Sequence, residues 1–116
     1  MDFVVHKLNV KLTDEQAADA NYTSEPFNIQ SFSLFCVQFY WEDIAFSTLA
    51  PTLDIYGSNS LDAPFSSINV GFALSAGDNS SLVNVEKAGY AYIKIVYNKR
   101  DATAGKVSAI INAKVI

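Results

Sequence analysis

Few side chains in this sequence are of a type that does chemistry, and their spacing decides what they are. Glu42 and Asp43 are adjacent carboxylates, the raw material of an acid/base pair. Neighbours in an extended strand point to opposite faces, so the two read as solvated charges closing an apolar run. His6, the single histidine, alternates with Val4, Leu8 and Val10, which makes it a partly buried structural imidazole rather than a base. Serines are plentiful, yet no Gly-x-Ser-x-Gly turn accompanies them, so no nucleophile elbow or triad is legible. Asp14, Glu15 and Asp19, and Asp78 with Asn79, fall short of a calcium loop, which spaces its oxygen ligands at alternate positions around a glycine. Cys36, the one cysteine, has no partner for an intrachain disulfide or, with one histidine, for a zinc site. It reads as a small hydrophobe in a strand. The expectation is therefore a non-enzyme with no cofactor and no metal.

Aromatic rings are the remaining chemistry. Trp41, Tyr40, Tyr56, Tyr90 and Tyr92 are of the type that stacks on the apolar faces of sugars, which makes glycan binding the alternative reading. The same rings at strand spacing serve more often as core or subunit contact. Asn21-Tyr22-Thr23 and Asn79-Ser80-Ser81 match the glycosylation sequon. The opening Met1-Asp2-Phe3-Val4 has no basic-then-apolar leader order, so the matches read as chance and the chain as made in the cytosol.

Composition bounds the partners. Only 17% of the 116 residues are charged while half are hydrophobic, against about 25% charged in an average domain. A chain with so little polar surface tends to bury part of its outside against copies of itself. The net charge of −4 and eight scattered basic residues exclude a binder of nucleic-acid backbones, which needs clustered Lys and Arg. No apolar run reaches the length of a membrane span.

The elements that must position these residues are nearly all extended. Alternation or β-branched content marks strands at Phe3–Leu12, Tyr22–Gln30, Ser31–Trp41, Ile44–Thr48, Thr52–Tyr56, Phe65–Leu74, Ser81–Glu86, Gly89–Lys99 and Lys106–Ile116. Pro26 places the second at an edge or makes it irregular. Thr13, Gln16 and the acidic Asp14 and Glu15 form the one helix start, good for about two turns near residues 14–20. Glu42-Asp43 and Gly77-Asp78-Asn79-Ser80 read as turns. Short strands punctuated by turns predict one all-β domain, an antiparallel β-sandwich of jelly-roll-like form, with residues 1–25 as an N-terminal arm or peripheral segment.

Two faces stand out as subunit contacts. Ser31–Trp41 is apolar on both sides: Phe35, Val37, Phe39 and Trp41 on one, Phe32, Leu34, Cys36 and Tyr40 on the other, which implies cover on both. Phe32, Leu34, Tyr40 and Trp41 are its candidate contact residues. The last two strands read as a terminal hairpin whose core face holds Ala91, Ile93, Ile95 and Tyr97 beside Val107, Ala109, Ile111 and Ala113. The other face, with Tyr90, Tyr92, Lys94 and Ile110, is too apolar for plain solvent exposure and is the second candidate contact.

Read as text, SFSLFCVQFYW (31–41), LDIYGSN (53–59), GYAYIKIVYNK (89–99) and AGKVSAIINAKV (104–115) resemble, in that order, small structural proteins of bacteriophage particles. The resemblance covers about three quarters of the chain, leaving roughly residues 1–25 outside. It implies a β-sandwich virion component (capsid, decoration, neck or tail), made in the host cytoplasm and assembling with copies of itself and other virion proteins. It carries over no site residues. The alternative it leaves is a module binding a receptor or a host surface glycan.

Overall fold

The computed structural model describes residues 7–29, 34–68, 72–86 and 91–114. Within them lie ten strands and no helix: β1 (Lys7–Ala17), β2 (Tyr22–Thr23), β3 (Phe27–Asn28), β4 (Leu34–Phe46), β5 (Thr52–Ser58), β6 (Ser66–Ser67), β7 (Phe72–Ala73), β8 (Gly77–Glu86), β9 (Tyr92–Asn98) and β10 (Ala102–Lys114). One sheet runs β1-β10-β4-β8; the other runs β2-β9-β5-β6, with β3 also on β9 and β7 also on β5. Every pairing is antiparallel.

The connectivity is a set of nested pairs. Counting β2 with β3 and β6 with β7 as single positions, ten strands fill eight, and the first pairs the last, the second the seventh, the third the sixth, the fourth the fifth. A long double ribbon of this kind, rolled so that β10 also meets β4 and β9 also meets β5, is a jelly roll. The sandwich expected from the strand pattern is present.

The core follows from period-two alternation. Phe35, Val37, Phe39 and Trp41 of β4 and Val107, Ala109 and Ile111 of β10 meet Leu53 and Ile55 of β5 and Ile93, Ile95 and Tyr97 of β9 across the sandwich. Tyr97 keeps its ring inside by donating its hydroxyl to the Ala18 carbonyl at 2.7 Å. Pro26 behaves as its chemistry requires: the second strand is split into β2 and β3 around Ser24, Glu25 and Pro26, both halves pairing with β9.

Five expectations are corrected. The short helix near 14–20 is absent: Thr13–Ala17 continues β1 through two register shifts, with Glu15 at φ 48 and its N–H donating to Ser108 Oγ at 2.9 Å. A two-turn helix is marginal alone, and a ladder on β10 outweighs it. Residues 7–25 lie at sheet edges, β1 on β10 and β2 on β9, and residues 1–6 of the expected arm or peripheral segment lie outside the described residues. Glu42-Asp43 is a bulge inside β4, with Asp43 at φ 53 and its N–H bonded to Asp78 Oδ1 at 2.8 Å, and Gly77–Ser80 begins β8 instead of turning. The expected strand 65–74 survives as the two-residue β6 and β7. The terminal hairpin does not form: β9 and β10 lie in different sheets, joined by a turn at Arg100-Asp101 in which the Ala102 N–H bonds the Lys99 carbonyl at 2.8 Å.

Candidate functional site

The sandwich has two outer faces, and the candidate contact residues divide between them. On the four-stranded sheet, β4 turns Cys36, Gln38 and Tyr40 outward. Gln38 lies in register between Ile110 of β10 and Leu82 of β8, and Tyr40 between Ser108 and Ser80. Tyr40, Cys36 and Ile110 are half-buried, and Leu82 is 65% exposed, the most exposed of the large hydrophobics among the described residues. Burial pushes the Cys36 thiol above its ordinary range, opposed by a hydrogen bond to the Val83 backbone. That makes it a weaker nucleophile than a free thiol.

On the other sheet, Tyr92, Lys94 and Val96 of β9 face outward beside Ser58, Tyr56 and Asp54 of β5. This face is partly occupied by its own chain. The Phe65 ring lies 4.4 Å from Lys94 Nζ, and Ser67 donates its hydroxyl to Asp54 Oδ2 at 2.6 Å. The ammonium is therefore already engaged in a cation–π contact.

The pairing of β10 with β4 moves Ile110 to the Tyr40 side, a whole sandwich away from Tyr92 and Lys94. The second expected cluster is thereby divided. Trp41 belongs to neither outer face: it is 5% exposed, sits in the core, and its indole Nε1–H donates to the Ser75 carbonyl at 3.0 Å. Phe32 and Tyr90 lie outside the described residues. Leu34 begins β4 opposite Lys114 and Glu86.

The aromatic set weighed for sugar stacking does not converge either. Trp41 is internal, Tyr40 is on one sheet, and Tyr56 and Tyr92 are on the other. Leu82 is the residue the sequence reading missed. Its signal was present, because Val83, packed against the core, sets the inward parity of the strand and leaves Leu82 outside.

No group of three or more His, Cys, Asp or Glu able to hold a metal occurs among the described residues. What this surface offers is shape, apolar area and backbone edge. Among the described residues no strand lies beyond β8, and the Ser80 N–H there bonds the Asn79 side-chain oxygen at 2.8 Å.

No protein-family model matches the chain, and no curated protein matches it significantly. Solved structures do match in fold. A chain in the structure of infectious bursal disease virus Gx strain superposes with a TM-score of 0.62 at 15% identity, covering 96% of this chain and 32% of that one. The SPBc2 prophage-derived protein YomS superposes with a TM-score of 0.60 at 12% identity, covering 97% of both chains. The infectious bursal disease virus VP2 subviral particle gives a TM-score of 0.57 at 14% identity. The chain thus spans about a third of the viral chains it matches and the full length of the prophage-derived one. At such identities the likeness is one of fold, and the fold shared is the jelly roll.

Proposed function

We propose that the chain is a structural subunit of a virus particle, acting by packing against copies of itself and other virion proteins and not by catalysis. The observation that carries this reading is the nested jelly-roll connectivity spanning the chain, shared with chains of viral particles and, over its whole length, with a prophage-derived protein. The full-length match to the prophage-derived protein favours a bacteriophage particle as the setting. A jelly roll with no His, Cys, Asp or Glu cluster among the described residues has its faces and edges as its working parts, and symmetric repetition multiplies modest contacts.

The test is particle composition. Mass spectrometry of purified particles is expected to find the chain at a fixed ratio to the other particle proteins. Particles produced without it are expected to lose stability or regular size. A chain that stays in the unassembled fraction while complete particles form without it would overturn the reading.

A further inference from the structure

The four sheet edges are unequally protected. β1 is bulged at two places and carries Lys7 and Lys11. The β2/β3 edge consists of two-residue pieces interrupted by Pro26, and the β6/β7 edge of two-residue pieces after Pro64. Short strands, bulges, Lys and Pro are the devices that keep sheet edges from pairing with other chains. β8 has few of them. It is ten residues long, holds neither Pro nor Lys, and from Asn79 to Val85 carries no charge. Among the described residues no strand lies beyond it.

The direction of its free backbone groups can be read from one bond. The Ser80 N–H donates to Asn79 Oδ1, a side chain of its own strand, at 2.8 Å, and we infer from this that Ser80 turns its main-chain groups to the free side of β8. Backbone direction alternates along a strand, so Leu82 and Asn84 do the same.

We propose that β8 pairs antiparallel with β8 of a second copy about a two-fold axis at Leu82, joining the two four-stranded sheets into one. A strand pairing with itself keeps outward residues opposite outward residues only when the register preserves parity. Centring on Leu82 does so: Leu82 meets its own copy, and Ser80 meets Asn84. Both are then hydrogen-bonded pairs, in which each residue exchanges N–H and carbonyl with its mate.

Three observations select a second copy as the occupant. The edge is self-complementary in this register from Asn79 to Val85. Its centre is the most exposed large hydrophobic among the described residues, which pairing covers. Two chains of charge −4 meet there along a strip uncharged from Asn79 to Val85; beyond it the register sets Asp78 opposite Glu86 of the copy, and that like-charge pair confines the ladder to the uncharged strip. The inference takes from the particle reading only that the chain assembles with itself, and it names the contact.

The test uses the purified chain. Sedimentation is expected to show a monomer–dimer equilibrium, and amide exchange at Leu82 and Asn84 to slow by at least about tenfold as the dimer fills. Leu82→Lys, at a residue 65% exposed, is expected to weaken the dimer at least about tenfold with the buried Trp41 fluorescence unchanged. Leu61→Lys, at an exposed leucine away from the edge, should leave it intact and so separates edge pairing from general stickiness. A monomer at all concentrations, a dimer whose Leu82 and Asn84 amides exchange freely, or equal loss in both variants overturns the proposal. If the chain nevertheless enters particles, the particle role stands and the β8 contact alone falls.

Discussion

At the scale of single residues, two positions hold more of the fold than their size suggests. Tyr97 is 2% exposed, and its hydroxyl ties the segment after β1 to the opposite sheet through Ala18. Burial, with the Asp19 carboxylate second, pushes the phenol from 10.0 up to about 12. Below pH 10 it is neutral folded or unfolded, and its full contribution is present. Between about pH 10 and 12 the unfolded chain loses its proton first, so roughly 2–3 kcal/mol of stability drains away in that window. Tyr97→Phe is expected to cost about 1–2 kcal/mol at neutral pH, because the Ala18 carbonyl loses its partner. It should also flatten the alkaline limb, as read by urea denaturation at a series of pH values. Gly105 is the second position. Its φ is 117, and a Cβ there would stand 2.8 Å from the Glu42 carbonyl oxygen and 2.9 Å from Ile44 Cα. Those are backbone atoms with nowhere to go, so Gly105→Ala should destabilise by about 3 kcal/mol or more, combining strain and overpacking. A urea midpoint within error of the wild type would refute this.

At the scale of elements, alternation told which residues face inward but not which strands touch. Tyr97, Ile95 and Ile93 were expected to share a core face with Val107, Ala109 and Ile111, and all six are buried. They meet across the sandwich and not side by side, because inward parity is the same for a hairpin partner and for a strand in the facing sheet. The signal that separates the cases is the ladder, and backbone hydrogen bonds leave no trace in residue type. The same limit cost the Ile110 assignment and divided the second candidate face. Bulges were misread for a related reason. Glu42-Asp43 and Gly77-Asp78 have the composition of turns, yet the Asp43 N–H bonds Asp78 Oδ1 across the pair and both strands run on. Thr13–Ala17 carried a helix start, but Ser108, 2% exposed, offers its hydroxyl to the Glu15 N–H and pins the irregular end of β1. Ser108→Ala should remove that acceptor and cost about 1–2 kcal/mol. Its mark would be faster amide exchange at Glu15, with β4 and β8 unaffected; uniform loss of protection over the sheet would contradict a local role.

At the scale of the whole molecule, nesting governs how the chain can fold. The innermost pair, β5 with β6, closes where Gly57 meets Ser66. The outermost, β1 with β10, joins Lys7 to Lys114. Closing the outer pair first would cost about 2 kcal/mol more loop entropy than closing the inner one, by the logarithmic growth of that cost with length. Once the inner pairs exist, each further pair closes only a short additional length on either side. Formation from the inside outward is therefore favoured, and the preponderance of pairings distant in sequence places refolding in the range of about milliseconds to seconds. Ile55 on β5 and Ile111 on β10 are both 0% exposed, and Ile→Val at either should cost about 1 kcal/mol. The two should differ in kinetics. Ile55→Val is expected to slow refolding, and Ile111→Val mainly to speed unfolding, because the outer pair is still open at the barrier. Stopped-flow refolding of the two variants separates the cases: a slower refolding limb for Ile111→Val with an unchanged limb for Ile55→Val would place β1 and β10 in the nucleus and reverse the order of assembly argued from the nested topology.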